Sequence, residues 1–354
     1  NNYIYNLIIS LGTLFVRLLK MIIVPLILTS IIVGVSGINN GERLGRLGIK
    51  TILYYITTSL FAIIIGLTLT NLLQPGVGTE IITNDKYDAS QLKTPGSVAE
   101  ILIRMVPLNP INAAANGDML GIIFFSIFFG IAVTRLELNQ QSTLKSLFNS
   151  LFNAIMKMTE IIIKATPIGV FGLIVKVVAN SGFEIFAAVA KYMMTIALGL
   201  SIHIFIVLPI LFYFLSGINP LLHYKAMASA MATAFSTSSS SATLPVTMRC
   251  VREKVGVSNE TSSFVLPMGA TVNMDGTALY ECAGVIFISQ VLGIDLNISQ
   301  QFTIVVTALL ASIGAAAVPG AGMVMLVIVL SAIGIDPEGI ALIFAVDRIL
   351  DMMR

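Results

Sequence analysis

The sequence has no tryptophan, little charge and few residues of the kinds that bind transition metals. Asp, Glu, Lys and Arg make up only 11% of the 354 residues, against about 25% in typical soluble domains. The chain has two cysteines and two histidines, and it has neither a His-Glu-x-x-His nor a Gly-x-Ser-x-Gly motif, which argues against a membrane-bound zinc or serine hydrolase. The net charge of +2 gives no sign of nucleic-acid binding. With 56% hydrophobic residues and 28 glycines, the composition indicates a polytopic membrane protein of closely packed helices.

A polar stretch, residues 273–277 (Asn-Met-Asp-Gly-Thr), interrupts the apolar segment 264–292. That segment is long enough to cross a bilayer, which takes about 20 helical residues. A carboxylate such as Asp275 at membrane depth costs about 2.5–3.5 kcal/mol on insertion scales, and Gly276 weakens the helix at the same place. The pattern predicts an unwound helix whose carbonyl, Asn and Asp oxygens bind a cation. The alternative is a kink whose polar groups satisfy one another.

Two segments have the pattern of hairpins that enter the membrane and return. Segment 221–250 has a serine-rich centre and basic residues at both ends, which places both ends on the cytoplasmic side. Segment 301–332 is broken by small residues and flanked by acidic loops without Lys or Arg, which predicts entry from the outer side. With the broken helix 258–292 and the last helix 339–354, this pattern predicts an inverted repeat, an architecture with binding sites between discontinuous helices.

The rest of the chain is a series of apolar spans joined by polar loops. Residues 39–50 are expected to form a basic cytoplasmic loop, and residues 147–178 a single span. His203, within the span 187–215, is interpreted as a packing residue rather than a ligand. Cys250 and Cys282 have no metal-binding spacing and are expected to be inert.

Several motifs together resemble the sodium-coupled glutamate and aspartate transporter family, the dicarboxylate/amino acid:cation symporters that include the excitatory amino acid transporters. The resemblance covers nearly the whole chain. It rests on Tyr55-x-x-Thr58-Ser59, the serine-rich Ser238–Pro245, Asn273–Thr277, Ala311–Gly314 with Val318–Gly322, and Asp347-x-x-x-Asp351-x-x-Arg354.

This resemblance implies an all-α polytopic membrane protein with the glutamate-transporter fold, two re-entrant helical hairpins and discontinuous helices. It implies a homotrimer in contact with lipid in the plasma (inner) membrane. Residues 1–73 would provide scaffold helices and, in their second span, part of a transport domain; residues 74–220 would provide scaffold, trimerisation and connecting helices. Residues 221–354 would form the transport-domain core. The family pattern also has a helix before Asn1 and a continuation of the last helix after Arg354.

The resemblance also implies a substrate site for an acidic amino acid. Arg354 would hold the side-chain carboxylate, because a guanidinium pairs with it bidentately. Asp351 would take the α-ammonium group, with Thr277 nearby. The α-carboxylate would lie against the two hairpins, at Ser239, Ser240, Val318 and Gly322.

Three sodium sites are implied in the same way. One uses Asn273 and preceding carbonyls, and a second uses Tyr55, Thr58, Ser59, Asn273 and Asp275. A third uses carbonyls of Ser312, Ile313 and Ala315. Met274 and Asp347 are expected to support these ions. Glu281 matches the proton carrier of some family branches; the alternative is an ordinary helix-face acid paired with a cation.

The expected function is therefore not an enzyme but a symporter that takes up L-aspartate or L-glutamate with Na+, and with H+ as a second candidate ion. Asp351 separates the chain from the dicarboxylate branch, and Arg354 separates it from the neutral amino acid branch. The family's second arginine is missing at both of its known positions, which are Ser238 and Met352 here. Alternatives are a purely proton-coupled acidic amino acid symporter, a neutral amino acid transporter, or an anion channel of the same fold.

Overall fold

The computed structural model describes residues 2–37, 42–79, 103, 105–116, 118–181, 185–313 and 320–354. Within these ranges the regular structure is entirely helical, with no β-strand. The α-helices are α1 (Asn2–Ser36), α2 (Glu42–Leu73), α3 (Pro110–Ala115), α4 (Met119–Val133), α5 (Leu138–Lys164), α6 (Thr166–Ser181), α7 (Ile185–Ile202), α8 (Leu208–Ser216), α9 (Pro220–Thr237), α10 (Ser240–Cys250), α11 (Asn259–Val272), α12 (Asp275–Val291), α13 (Ile298–Ile313), α14 (Ala321–Ile333) and α15 (Ala341–Met353). Two π-helical segments (His203–Val207 and Val251–Val255) and a 3-10 turn (Pro337–Ile340) complete the set.

Three helical stretches of the described chain are long and apolar enough to cross a membrane: Ile4–Ser36, Leu47–Leu73 and Ile185–Ser216. The third continues from α7 through the π segment into α8. The multi-pass membrane character predicted from composition is therefore seen in the helices themselves.

Two of the expected spans have different limits in the structure. Helix α2 begins at Glu42, so most of the basic loop expected at 39–50 is helix. The sequence from Glu42 to Lys50 contains no proline, and its polar residues extend the helix beyond its apolar part. The single span expected at 147–178 is divided at Ala165 between α5 and α6, because Pro167 lacks the N–H that would continue the hydrogen-bond ladder.

Helix α12 is the most enclosed element of the described fold. Every side chain from Thr277 to Ser289 is buried, as is typical of a helix that is apolar on all sides. It packs against α2, α7, α13 and α14. Its approach to α2 depends on Gly66, where an added Cβ would lie 2.8 Å from the carbonyl oxygen of Leu279. The polar ends of α2 and α12 are thereby held at a fixed separation.

The remaining helices make two further groups of contacts. Helix α1 packs mainly against α4, α5 and α6, whereas α7 packs against α2, α12 and α15. Helices α9 and α10 form a hairpin, because their two-residue link brings Ser229 and Cys250 back to within 3.1 Å (Oγ to Sγ). Helices α13 and α14 also contact each other. Cys250 and Cys282 are both buried and free.

Candidate substrate and cation site

The largest set of predicted site residues surrounds a cavity of about 490 Å³, a size suited to a small organic ligand. The break between α11 and α12 forms one wall, and the tip of the α9–α10 hairpin and the end of α15 form the others. The polar lining is Ser201, His203, Ser238, Ser239, Ser240, Asn273, Asp275, Thr277, Asp351 and Arg354. The polar stretch seen in the sequence is thus a break in the helix that opens onto a cavity.

The first polar cluster joins α2 to the helix break. The Thr58 hydroxyl oxygen lies 3.2 Å from both Asn273 Oδ1 and Asp275 Oδ1, and the Ser59 hydroxyl donates to Asp275 Oδ1 at 2.7 Å. Tyr55 lies one turn earlier on α2, and its hydroxyl donates to the carbonyl of Val265 at 2.8 Å. The structure therefore brings together the side chains of Thr58, Ser59, Asn273 and Asp275, whereas the Tyr55 hydroxyl is bonded to Val265.

This cluster has more acceptors than hydrogens. Thr58 Oγ1 lies within 3.2 Å of three acceptors: the carbonyl oxygen of Tyr55, Asn273 Oδ1 and Asp275 Oδ1. A hydroxyl has only one hydrogen to donate, and an ionised carboxylate has none. Converging lone pairs of hard oxygen atoms are the donor set that alkali and alkaline-earth cations prefer. In the described residues no group of three or more His, Cys, Asp or Glu side chains converges as a transition-metal site would require.

His203 contacts this cluster, which the sequence analysis did not predict. Its side chain is buried, as expected for a packing residue, but its Nε2 lies 3.1 Å from Asp275 Oδ2. The two carboxylate oxygens of Asp275 therefore face different partners. The residues are 72 positions apart, and no local pattern in the sequence links them.

The second polar cluster lies at the end of α15. The Arg354 side chain is only 4% exposed; its Nη2 bonds to Asp351 Oδ1 and its Nη1 lies 3.4 Å from Asp347 Oδ1. The predicted shared face of Asp347, Asp351 and Arg354 is therefore an ion cluster. When all three are ionised they have a net charge of −1, and the exposed Arg348, whose Nη1 lies 3.9 Å from Asp351 Oδ2, offsets part of it. An unpaired buried carboxylate is costly, and here Asp347 and Asp351 share the Arg354 guanidinium.

Tyr280 also contacts this cluster, and the sequence analysis did not predict that contact. Its hydroxyl donates to Asp347 Oδ1 at 2.7 Å, and the guanidinium carbon of Arg354 lies 4.4 Å from its ring centroid, a cation–π geometry. The signal was present in the sequence: Thr277, Tyr280 and Glu281 occupy i, i+3 and i+4 on one helix.

Small residues let the backbone approach Arg354 closely. A Cβ at Gly322 would collide with the Arg354 guanidinium, and one at Gly276 would collide with the Arg354 backbone. The backbone N–H of Gly320 donates to Asp351 Oδ2 at 2.9 Å, which ties α14 to α15.

The serine-rich tip of the α9–α10 hairpin forms the facing wall. Ser238 has a left-handed backbone conformation (φ 50°), and its buried Oγ has no hydrogen-bond partner in the described chain. Ser239 caps α10 by accepting from the backbone N–H of Ala242 at 3.2 Å. Ser240 and Thr277 also line this cavity.

The other predicted residues have different positions. Met274 lines the cavity and packs on the core. Ser312 is buried, and its hydroxyl donates to the Leu309 carbonyl at 2.8 Å; Ile313 ends α13. Ala315 and Val318 lie outside the described residues, so the third sodium site and the contribution of Val318 stay predictions. Glu281 is fully buried, and neither of its carboxylate oxygens has a hydrogen-bond partner within the described ranges.

A comparison with known proteins assigns the chain to a family. The family model described as the sodium:dicarboxylate symporter family matches residues 2–354. The chain belongs to this family. The resemblance inferred from the five motifs is thereby confirmed, and so is the expectation of a transporter rather than an enzyme.

Individual symporters of the family are similar over most of their length. Excitatory amino acid transporter 3 of Mus musculus is 37% identical over 97% of this chain and 75% of its own length. The proton/glutamate-aspartate symporter of Escherichia coli (strain K12) is 36% identical over 99% of this chain and 82% of its own. The proton/sodium-glutamate symport protein of Bacillus subtilis (strain 168) is 37% identical over 97% and 81%.

Proposed function

We propose that this symporter takes up L-aspartate or L-glutamate together with sodium across the plasma membrane. The observation that carries the proposal is the pair of clusters on one cavity: an oxygen-rich cluster at Asp275 and an ion cluster at Arg354. The first favours a hard cation such as sodium, and the second offers a guanidinium for a carboxylate and an acid for an amine. The names of the three relatives agree with this chemistry.

Each substrate group has a proposed partner. Arg354 takes the side-chain carboxylate, and Asp351 takes the α-ammonium group with Thr277 beside it. Ser239, Ser240, Val318 and Gly322 receive the α-carboxylate. For these contacts to form, Arg354 must exchange one of its present carboxylate partners for the substrate, which is an exchange of like groups and so has a small net cost.

The coupling ions also have proposed sites. Sodium binds among Tyr55, Thr58, Ser59, Asn273 and Asp275, and further sodium ions bind at Asn273 and at Ser312, Ile313 and Ala315. Met274 and Asp347 support these ions. Each net positive charge that enters down the membrane potential supplies about 2.3 kcal/mol per 100 mV.

A proton is the second coupled ion that we propose, carried by Glu281. A carboxylate that is buried without a hydrogen-bond partner is costly when ionised, so a proton would travel on this side chain. Two of the similar proteins have "proton" in their names.

The finer architecture is proposed from the family pattern. The α9–α10 and α13–α14 pairs are re-entrant hairpins of a transport domain, and α1 with α4, α5 and α6 form a scaffold that trimerises. Helix α7 was expected among the scaffold and connecting helices of residues 74–220, but its contacts with α2, α12 and α15 favour placing it in the transport domain instead. Native mass spectrometry of the purified protein tests the trimer: a monomeric mass under conditions that keep the protein active would refute it.

Radiolabelled L-aspartate uptake into proteoliposomes tests the function. Uptake should need an inward sodium gradient, and Arg354→Ala should abolish it, because two buried carboxylates lose their cation and the substrate loses its guanidinium. Arg135→Ala is the control, since that side chain is exposed and does not line the cavity. Sodium-independent uptake would favour a purely proton-coupled carrier, and uptake that survives Arg354→Ala would refute the proposed clamp.

A further inference from the structure

The histidine beside the cation cluster, His203, is in an unusual part of its helix. It begins the π-helical segment His203–Val207, where the backbone N–H of Leu208 bonds to the His203 carbonyl five residues earlier. Such π-bulges insert an extra residue into a helix and are frequent at functional sites. Here the bulge sits between two helices that are otherwise regular, α7 and α8.

Two other residues, Pro209 and Tyr224, determine the hydrogen bonding of this bulge. In the same i to i+5 pattern the Ile204 carbonyl would accept from residue 209, but Pro209 has no N–H. The hydroxyl of Tyr224, on α9, donates to the Ile204 carbonyl instead. The backbone that carries His203 is therefore anchored to the hairpin that lines the cavity.

The imidazole ring has a defined hydrogen-bonding role. An ionised carboxylate only accepts hydrogen bonds, so Nε2 carries the hydrogen in its 3.1 Å contact with Asp275 Oδ2. The other ring nitrogen, Nδ1, is buried without a partner in the described part of the chain. An apolar side chain would fill this space without burying an unpaired nitrogen, which costs about 1–3 kcal/mol. The ring is thus suited to Asp275 rather than to packing alone.

Because of this contact, the two oxygens of the Asp275 carboxylate have different partners. Oδ2 is fixed by His203, and Oδ1 faces Thr58 and Ser59 at 3.2 and 2.7 Å. A carboxylate held at one oxygen cannot rotate its other oxygen away from the cluster.

We propose that His203 is a positioning residue for the cation site: its Nε2–H fixes the Asp275 carboxylate so that Oδ1 stays among the hydroxyls and Asn273. The proposal rests on the proposed function in taking sodium as the cation. Hydrogen-bond partners of this kind orient metal ligands, and their loss typically lowers metal affinity about 10–100-fold.

Three variants test the proposal in the full-length protein. His203→Leu keeps volume and removes the donor, whereas His203→Gln replaces Nε2–H with an amide N–H of similar reach. His223→Gln is the matched control, since His223 is the other histidine of the chain, also has a buried Nδ1 without a partner in the described residues, and stacks on Phe212 at 4.6 Å.

The measurement is the sodium concentration that gives half-maximal thermal stabilisation of the purified protein, with choline replacing sodium, followed by aspartate uptake in liposomes. His203→Leu should raise that concentration about 10–100-fold. His203→Gln should stay within about threefold of wild type, because a donor is kept. His223→Gln should match the wild type.

The two readouts separate this proposal from the proposed function. Sodium stabilisation that depends on His203, without aspartate uptake by the wild type, would refute the substrate and leave the positioning role standing. An unchanged sodium curve in His203→Leu would refute the role, as would equal loss in His203→Leu and His203→Gln. A wild type that sodium does not stabilise would overturn both the cation site and the role of His203.

Discussion

Gly66→Ala should weaken sodium binding from a position outside the site. The new Cβ would lie 2.8 Å from the Leu279 carbonyl oxygen, and ordinary contact begins at 3.4 Å, so α2 and α12 must separate by 0.6 Å. Gly66 is two turns from Ser59 on α2, and Leu279 is about one turn from Asp275 on α12. A matching shift would stretch the Ser59–Asp275 contact from 2.7 to 3.3 Å, beyond the range of about 2.5–3.0 Å for such bonds.

The expected magnitudes follow from that shift. Partial loss of one hydrogen bond to a charged group, at about 1 kcal/mol, raises the sodium concentration for half-maximal uptake roughly fivefold. Overpacking costs about 1–3 kcal/mol, and the better helix propensity of alanine returns about 0.5–1 kcal/mol. The net effect should be about 1 kcal/mol of destabilisation and a lower melting temperature.

Gly48→Ala is the matched control on the same helix. Its Cβ would meet only Phe264 Cζ, at 3.7 Å, which is ordinary contact. The free energy of unfolding of this variant should be about 0.5–1 kcal/mol higher than that of the wild type. Its melting temperature should therefore be slightly higher, with the same sodium dependence. Melting curves and sodium titrations of aspartate uptake measure both quantities. The reasoning would be refuted if the two variants changed stability in the same direction, or if Gly66→Ala left the sodium titration unchanged.

Two further substitutions test the proposed roles of buried acids. Glu281→Gln keeps the shape and removes the ionisable group, so sodium-driven uptake should lose its dependence on external pH, while the exposed control Glu160→Gln keeps it; a preserved pH profile in Glu281→Gln would exclude proton carriage by this residue. Asp351→Asn should raise the aspartate concentration for half-maximal uptake at least tenfold, because a charge-assisted hydrogen bond contributes about 1.5–3 kcal/mol. Succinate, which has no amine, should compete as well as before, and equal losses for both compounds would contradict the ammonium contact.

The sequence predicted those features that depend on local chemistry. A carboxylate and a glycine in an apolar segment have few stable outcomes in a membrane, and the helix does break at Asn273 and Met274. The oxygen cluster was expected only from the resemblance to the family, because the motif on α2 has no local pattern that links it to Asn273 and Asp275. The resemblance to a family added residue roles that no composition or periodicity could supply.

Contacts between distant segments were not predictable in the same way. His203 resembles any other polar residue on an apolar helix, and its role depends on how α7 packs against α12. The start of α2 at Glu42 was missed because charged residues were assigned to a loop, although nothing in that stretch terminates a helix. Tyr280 was within reach of a helix-face argument, since it lies three residues after Thr277.

The backbone contact between Gly276 and Arg354 has a thermodynamic consequence. Asp275 belongs to the cation cluster, Gly276 is the next residue, and it touches the chain at Arg354, so one peptide unit connects the two clusters. Whatever the path between the sites, any factor by which sodium raises the affinity for substrate must equal the factor by which substrate raises the affinity for sodium. A side chain at position 276 would collide with the Arg354 backbone, so we expect it to separate the two clusters and to weaken the coupling between substrate and sodium binding.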